Sequence, residues 1–316
     1  MASILAELAK LYSRAVIKRR PHDVPTLVRH LRRTMDRPPF PAILSRGVSL
    51  RRTRIAGIPC DLVTTEQPKT AVLYLHGGGY VAGVTETYHP FAAELAKGLV
   101  AEVFLPVYRL APEHPFPAAH EDAMATYEAI LAKGYRGEDI VVAGDSAGGG
   151  LTLAVLLAIR DRGLPRPRCA LAMSPYADVT ATLPSVDLND RSDSMLSAYL
   201  LRLGGDVYHG RTDARDPYVS PIYGDFHGLP PLYVTVSNEE CLLDDALSVV
   251  SKAREAGVHV ELVRRSGLLH VWPVFVPFVP EAREDVRKMI AFARGAAVRA
   301  PGVSSAPRGS ARSAAG

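Results

Sequence analysis

The composition of the chain is that of an ordinary globular protein. It has 316 residues, of which 47% are hydrophobic and 22% are charged, so it can bury a sizeable core without metal or disulfide support. Lys and Arg number 37 against 33 Asp and Glu, which leaves a net charge of +4. This small excess gives no indication of a nucleic-acid partner. No apolar run reaches about eighteen residues, so the sequence predicts no integral membrane segment.

The cysteines argue against covalent or metal support. Cys60, Cys169 and Cys241 are isolated from one another, and an odd, sparse count excludes a disulfide framework and predicts reduced thiols in the cytoplasm. The sequence contains neither a Cys-x-x-Cys pair nor a His-Glu-x-x-His run. It therefore predicts no metal site.

The N-terminal segment contains two helical patterns. Leu5, Leu8 and Leu11 recur at roughly helical spacing, with basic residues among and after them. A signal peptide would carry its positive charge before an uninterrupted apolar stretch. The pattern instead predicts an amphipathic helix that packs on the protein, in preference to one on a membrane surface. A second helix is predicted over residues 24–35, ended by the prolines at 38, 39 and 41.

Apolar strand-like runs then alternate with helical patterns. The predicted strands are residues 71–75, 102–107, 140–143, 170–173, 232–236 and 258–263. The predicted helices are residues 91–99, 118–133, 147–160, 243–256 and 281–297. Apolar strands that alternate with helices predict an α/β fold, with a mainly parallel sheet covered by helices on both faces.

Two segments depart from this alternation. Residues 180–215 are rich in Asp, Ser, Arg and Gly and carry a short helical pattern near 195–203. An insertion placed after a strand predicts a lid over a site at the carboxyl edge of the sheet. Residues 299–316 are mostly Ala, Ser, Gly, Arg and Pro, which predicts a disordered tail.

Ser146 is the candidate nucleophile. It lies in the run Gly-Asp-Ser-Ala-Gly at 144–148, between a predicted strand and an apolar helix. In this context the serine sits on a sharp strand-to-helix turn, where a bulky residue two positions to either side would clash. The helix N-terminus also favours negative charge that develops beside the serine. The alternatives are a glycine-rich packing turn, which the flanking elements disfavour, and a phosphate loop, which lacks its Gly-Lys-Ser/Thr.

A second glycine-rich motif predicts hydrogen-bond donors for an oxyanion. The run His-Gly-Gly-Gly-Tyr at 76–80 follows the predicted strand 71–75. Consecutive glycines let backbone N–H groups turn inward and approach a substrate oxygen closely. The N–H of Ala147, directly after the serine, supplements them. His76 precedes the nucleophile in the chain, and we interpret it as a structural residue that shapes the loop.

These motifs, with the run YRLAPEHPFPA at 108–118 between them, resemble the hormone-sensitive-lipase-like family of α/β-hydrolases, and its bacterial carboxylesterases most closely. The segment DPYVSP at 216–221 is also similar to one of the family. The resemblance covers about residues 45–297. It implies an α/β-hydrolase fold in which the catalytic domain, 46–298, carries a helical cap. Residues 1–45 and the insertion near 180–215 would form this cap, and the amides of Gly78, Gly79 and Ala147 would form the oxyanion hole.

In this fold a serine nucleophile acts with an acid and a histidine as a catalytic triad. The three residues occur in the chain in the order Ser, acid, His, so the acid and the histidine are expected after Ser146. His270 follows the predicted strand 258–263, where the family has its histidine. The acid is expected in the turn after strand 232–236. The family has Asp at the start of a D-x-L-x-D pattern, and this sequence has E-C-L-L-D at 240–244. Glu240 therefore occupies the position of the family's Asp, although it is a different type of residue. Glu239, Asp244 and Asp245 stay open as alternatives for the acid.

The implied reaction is a two-step acyl transfer to water that needs no metal or organic cofactor. The resemblance implies small-molecule esters of short to medium acyl chain length, or small lactones, as substrates. Polar residues in the insertion predict a mixed rather than an apolar surface around the mouth of the site: Asp187, Asp190, Arg191, Asp193 and Tyr199.

Three alternatives stay open at this point. An amide- or formamide-cleaving hydrolase on the same fold would carry the same motifs. Plant gibberellin receptors resemble the family but lack the catalytic histidine, so His270 argues against a non-catalytic small-molecule receptor. The third alternative is a partner-binding module that uses the N-terminal helix and the basic tail. The sequence does not decide the oligomeric state and leaves a homodimer open.

Overall fold

The computed structural model of the protein describes residues 2–18, 23–36, 46–276 and 278–296. The prolines at 38, 39 and 41 and the predicted tail, 299–316, lie outside these ranges. Within them, one sheet contains eight strands in the order β1-β2-β4-β3-β5-β6-β7-β8. The strands are β1 Ser49–Ile55, β2 Ile58–Thr64, β3 Thr70–Leu75, β4 Ala101–Pro106, β5 Ile140–Asp145, β6 Cys169–Met173, β7 Leu232–Ser237 and β8 Val260–Arg265.

Most neighbouring strands of the sheet are parallel, as the sequence predicts. The pairs from β4 through β3, β5, β6 and β7 to β8 are parallel, whereas β1 pairs antiparallel with β2, and β2 with β4. The sequence pattern did not predict β1 and β2. Strand β1 is an edge strand with largely exposed side chains, so it lacks the continuous apolar run by which the buried strands were recognised.

Helices cover both faces of the sheet. On one face lie α3 His89–Leu99 and α9 Pro280–Ala296, and on the other lie α4 Ala118–Ala132, α5 Ala147–Asp161 and α8 Leu243–Glu255. Successive residues of a strand point to opposite faces. Accordingly, Val72 and Tyr74 of β3 pack with the first group of helices, whereas Leu73 and Leu75 pack with the second.

Two N-terminal helices, α1 Ile4–Val16 and α2 Val24–Met35, lie where the sequence predicts them. The N-terminal end of α1 is bound to α9, because the N–H and hydroxyl groups of Ser3 donate to the Glu281 carboxylate at 2.6 and 2.8 Å. At its other end, Lys18 donates to the carbonyl of Asp193 at 2.6 Å. In α2, Arg32 forms a bidentate pair with Glu113.

Helix α1 packs on the protein as predicted, but the leucines that define its apolar face are not the residues that make this contact. Ala6 and Ser13 are the buried residues of this helix, whereas Leu5, Leu8 and Leu11 are exposed. The helix turns its small side chains inward because they allow its backbone to approach the protein closely. Helical periodicity revealed that α1 is amphipathic but did not determine which face is covered.

The insertion contains two helices, α6 Pro184–Leu188 and α7 Ala198–His209. The second begins three residues later than the predicted segment 195–203 and runs six residues further. Asp193 explains the late start, because its carboxylate accepts from the N–H groups of Met195 and Leu196 and holds them in a turn. Ser197 then caps α7 by accepting from the N–H of Leu200.

The three cysteines are buried, free thiols, as predicted from their spacing. Among the helices of the described ranges, none combines the length and the apolar character needed to cross a membrane.

Candidate active site

Ser146 occupies a strained turn between β5 and α5. Its backbone has φ +53° and ψ −121°, a conformation that side chains other than glycine rarely adopt. Neighbouring backbone leaves no room for larger residues beside it. A Cβ atom at Gly144 would lie 2.2 Å from the Gly148 carbonyl oxygen, and one at Gly148 would lie 2.0 Å from that of Leu75. The predicted need for glycine at both positions is therefore confirmed.

The glycine loop after β3 presents backbone donors beside Ser146. Gly78 and Gly79 have φ of +123° and +63°, and a Cβ at Gly78 would lie 1.9 Å from the Ala82 carbonyl oxygen. In the described part of the chain, the N–H groups of Gly78, Gly79 and Ala147 donate no hydrogen bond to other protein groups. Ala147 also begins α5, where the helix dipole favours a negative charge.

A buried carboxylate anchors this loop to the serine turn. Asp145 Oδ1 accepts from the N–H of Gly77 at 3.0 Å and from the hydroxyl of Tyr74 at 2.7 Å. The hydroxyl of Tyr88 donates to the other oxygen at 3.3 Å. Burial raises the pKa of Asp145 to about 6, against the lowering effect of these hydrogen bonds. Sequence reasoning missed this role, although Asp145 directly precedes Ser146 in the motif.

His76 is buried in the same loop and has a structural environment. Its ring stacks on Tyr108 with centroids 4.2 Å apart, and Nδ1 lies 2.8 Å from the Gly77 carbonyl oxygen. Burial lowers the pKa of His76 to about 4, so the ring is neutral at physiological pH. These contacts agree with the interpretation that His76 shapes the loop.

His270 and Glu240 form a buried pair. Nδ1 of His270 lies 2.6 Å from Oε2 of Glu240, and both side chains are almost inaccessible to solvent. Glu240 Oε1 accepts from the hydroxyl of Ser174 and the N–H of Ser237, at 2.9 and 2.8 Å. Burial lowers the pKa of His270, but the charge of Glu240 and its hydrogen bond more than offset this, so the pKa is raised.

The other carboxylates considered for the acid position have different partners. Glu239 accepts from the Ser237 hydroxyl and the Gly267 N–H. Asp244 accepts from the N–H of Ser185, and Asp245 accepts from the backbone of the segment after β6. Among these four carboxylates, Glu240 is the one that contacts the His270 ring.

Ser146 and His270 line one open cavity, which also borders Gly78 and Gly79. In the described residues, Nε2 of His270 has no hydrogen-bond partner. Apolar side chains from the N-terminal helices and the insertion form much of the remaining wall: Tyr12, Ile17, Leu31, Met35, Met195, Leu196, Leu200 and Leu201. The wall that the insertion contributes to the cavity is therefore apolar, and the polar residues predicted to surround the mouth do not form it.

Asp193 shows why the insertion looked polar in the sequence. It was predicted as part of a mixed surface, but it is only 2% exposed. Its Oδ2 accepts from the N–H of Cys241 at 2.9 Å, while Oδ1 accepts from two N–H groups of the insertion. Asp193 thus ties the insertion to the loop that carries Glu240, and no sequence signal distinguished it from its exposed neighbours.

Within the described ranges, no group of three His, Cys, Asp or Glu side chains is arranged to hold a metal ion.

Comparison with known proteins shows similarity to one fold family and to enzymes named as esterases or acetyl-hydrolases. A profile described as the alpha/beta hydrolase fold matches residues 72–274. An acetyl-hydrolase of Streptomyces hygroscopicus is 39% identical over 230 residues, which cover 73% of this chain and 77% of that protein. An esterase of Acinetobacter venetianus is 34% identical over 250 residues, which cover 78% and 82% of the two chains.

Solved structures extend the similarity over nearly the whole chain. The crystal structure of EstE5 soaked with p-nitrophenyl butyrate is 34% identical, with a TM-score of 0.86, and the match covers 94% of this chain and 100% of that one. An esterase from the bacterial hormone-sensitive lipase family is 32% identical, with a TM-score of 0.85 and coverage of 94% and 99%.

Fold and site together define the class as a serine hydrolase on the α/β-hydrolase scaffold. The chain belongs to the bacterial hormone-sensitive-lipase-like carboxylesterases within that class. It is therefore an enzyme that hydrolyses carboxylic esters.

Proposed function

We propose that Ser146, His270 and Glu240 are the catalytic triad of this esterase and that it hydrolyses short to medium acyl esters. The observation that carries the proposal is the shared cavity. Ser146 and His270 both border it, and the other side of the His270 ring is hydrogen-bonded to Glu240. The unpartnered Nε2 atom is thereby the nitrogen available to the serine.

In the proposed first step, Ser146 attacks the ester carbonyl while His270 Nε2 takes its proton. The proton then passes to the departing alcohol, which leaves an acyl group on Ser146. Glu240 holds the ring in the tautomer with a proton on Nδ1 and stabilises its charged form. In the second step, His270 activates a water molecule, which releases the acid and restores the serine.

The amides of Gly78, Gly79 and Ala147 are the proposed oxyanion donors. Their lack of protein acceptors in the described structure leaves them available for a substrate oxygen. Donors arranged before the reaction need no reorganisation when the negative charge develops. Asp145 supports this arrangement by holding the N–H of Gly77.

The proposed acyl preference rests on the cavity wall. Helices α1, α2, α6 and α7 form the proposed cap, and apolar side chains of α1, α2 and α7 and of the loop before α7 border the cavity. An apolar wall favours the acyl part of an ester over a charged group. The soaking of EstE5 with p-nitrophenyl butyrate concerns that protein, but it is consistent with a short acyl chain here.

Ser146→Ala tests the nucleophile. We expect the variant to fold like the wild-type protein, by circular dichroism and thermal unfolding, and to lose more than about 10³-fold in kcat on p-nitrophenyl esters. A serine-reactive phosphonate should label the wild-type protein and leave the variant unlabelled. A folded variant that keeps most of its activity would contradict the proposed mechanism.

A panel of p-nitrophenyl esters, run beside lactones and anilides, tests the substrate range. We expect kcat/KM to be largest at acyl chains of about eight carbons or fewer, with anilides turned over far more slowly. A maximum at the longest chains would contradict the proposed range without affecting the triad.

A further inference from the structure

Helix α1 carries an apolar face that the described protein does not cover. Ala6 and Ser13 turn towards the protein and are at most 1% exposed. At 3.6 residues per turn, the larger apolar side chains project from the opposite side. These residues, here called the outer face of α1, and their exposed fractions are Ile4 80%, Leu5 50%, Leu8 56%, Leu11 63% and Tyr12 51%.

The segment that includes α1 is positively charged. Residues 1–20 contain five basic residues and one acidic residue, a local excess of +4. By helical spacing, Arg14 lies along one edge of the outer face, next to Leu11. Its guanidinium and the Lys18 ammonium, just beyond the helix, also donate to backbone carbonyls of the insertion and keep their charge there.

The helix is also part of the active-site cavity. Tyr12 belongs to the outer face and borders the cavity, and Ile17 near the end of the helix borders it as well. A surface that contacts the outer face would therefore lie beside the cavity that contains Ser146. Large exposed apolar patches on soluble domains commonly mark such contact sites.

We propose that α1 binds the surface of an anionic lipid bilayer, with its outer face inserted between the headgroups. An apolar face within a positively charged segment suits the boundary between acyl chains and negatively charged headgroups. A second copy of this chain suits the surface less well, because the dimer would bring two segments of the same positive charge together. The proposal concerns binding, and it holds or fails independently of the catalytic triad.

Vesicle flotation with the full-length protein tests this proposal. One set of vesicles contains phosphatidylglycerol mixed with phosphatidylcholine, and the other contains phosphatidylcholine alone. The test variant is Ile4→Gln/Leu5→Gln/Leu8→Gln, since glutamine preserves helix propensity. Its matched control is Val100→Gln/Val107→Gln, because these two valines, each 41% exposed, lie outside the N-terminal helices.

We expect the wild-type protein and the valine control to float with anionic vesicles and to bind neutral ones at least about tenfold more weakly. The triple variant should bind anionic vesicles at least tenfold more weakly than wild type. Its Tm and its kcat/KM on a water-soluble acetyl ester should stay unchanged, which separates lost binding from lost folding or lost catalysis.

Several outcomes would overturn the proposal. If the triple variant still binds anionic vesicles like the wild-type protein, a surface other than the outer face of α1 is responsible for the binding. Absence of vesicle binding, together with a wild-type dimer that the triple variant dissociates, would identify a second copy as the partner. A clear fall of Tm in the triple variant would indicate that another segment of the chain itself covers the outer face.

Discussion

The two nitrogens of His270 have different environments, and this difference determines what the ring can do. Nδ1 is held by Glu240 at 2.6 Å, whereas Nε2 is buried and has no partner among the described residues. A buried nitrogen without a partner costs free energy unless a ligand or a reacting group completes it. The arrangement therefore favours a ring that exchanges a proton through Nε2 alone.

Replacing Glu240 by Gln should preserve the fold and remove most of the activity. The amide is close in size to the carboxylate, but it does not stabilise the charged ring or specify its tautomer in the same way. We expect kcat to fall by roughly 10³-fold or more, measured on a short p-nitrophenyl ester. Glu239→Gln and Asp244→Asn are the matched controls and should stay within about tenfold of wild type. The assignment is wrong if Asp244→Asn loses the most activity.

The acid side of the pH profile should report the His270–Glu240 contact. Glu240 raises the pKa of His270 despite the opposing effect of burial, and the protonated ring cannot accept the serine proton. The value of kcat/KM should therefore fall as the pH drops through this raised pKa, at a higher pH than for an ordinary histidine. Loss of the carboxylate should lower the pKa, so the residual activity of Glu240→Gln should persist to lower pH. An identical profile in both proteins would contradict this coupling.

At the scale of single elements, helix α7 shows how closely the insertion fits over the site. Gly204 and Gly205 are adjacent but have different surroundings. A Cβ at Gly204 would meet the Gly79 carbonyl oxygen at 3.8 Å, an ordinary contact, whereas one at Gly205 would lie 2.1 Å from that of Val179. Gly204 therefore tolerates a side chain, and Gly205 marks a close approach of two backbones.

The two glycines provide a matched pair of stability measurements. Gly204→Ala should leave the free energy of unfolding unchanged or raise it by about 0.5–1 kcal/mol, because alanine favours a helix. Gly205→Ala should lower it by about 3 kcal/mol, because the backbone must shift to admit the methyl group. Urea unfolding of both variants tests this difference. Equal stabilities would show that α7 can move away from the segment after β6.

At the scale of the whole molecule, the parallel sheet brings the site together. Gly78 follows β3, Ser146 follows β5, Glu240 follows β7 and His270 follows β8. Parallel strands have their carboxyl ends at one edge, so loops far apart in the chain meet there. The N-terminal helices and the insertion then supply the apolar wall above that edge.

Removal of residues 1–40 should change substrate preference more than the chemical step. The deletion takes away Tyr12, Ile17 and Leu31 from the cavity wall. Among its described residues, 2–18 and 23–36, none makes a hydrogen bond to the His270–Glu240 pair. We expect an altered acyl-chain preference and a Tm lower by roughly 5 °C or more. On an acetyl ester, kcat should stay within about tenfold of the full-length value. An unchanged preference and Tm would show that the segment is only an appendage.

Local sequence patterns determined the elements and two of the loops that form the site. Six of the strands and the principal helices follow from apolar runs and helical periodicity, because backbone conformation and side-chain spacing are local properties. The glycines at 144 and 148 could likewise be interpreted from the sequence, since a sharp strand-to-helix turn admits few residue types. Strand β1, whose side chains are largely exposed, lacked such a signal, and β2 was missed as well.

The tertiary structure alone decided which side chains meet. Four acidic residues near the end of β7 are similar in the sequence, but only the packing brings Glu240 to His270 and turns Asp245 towards the segment after β6. The packing likewise buries Asp193 and leaves the leucines of α1 exposed. The environment of a side chain depends on elements that are distant in the chain, and local spacing contains no information about which of them will cover it.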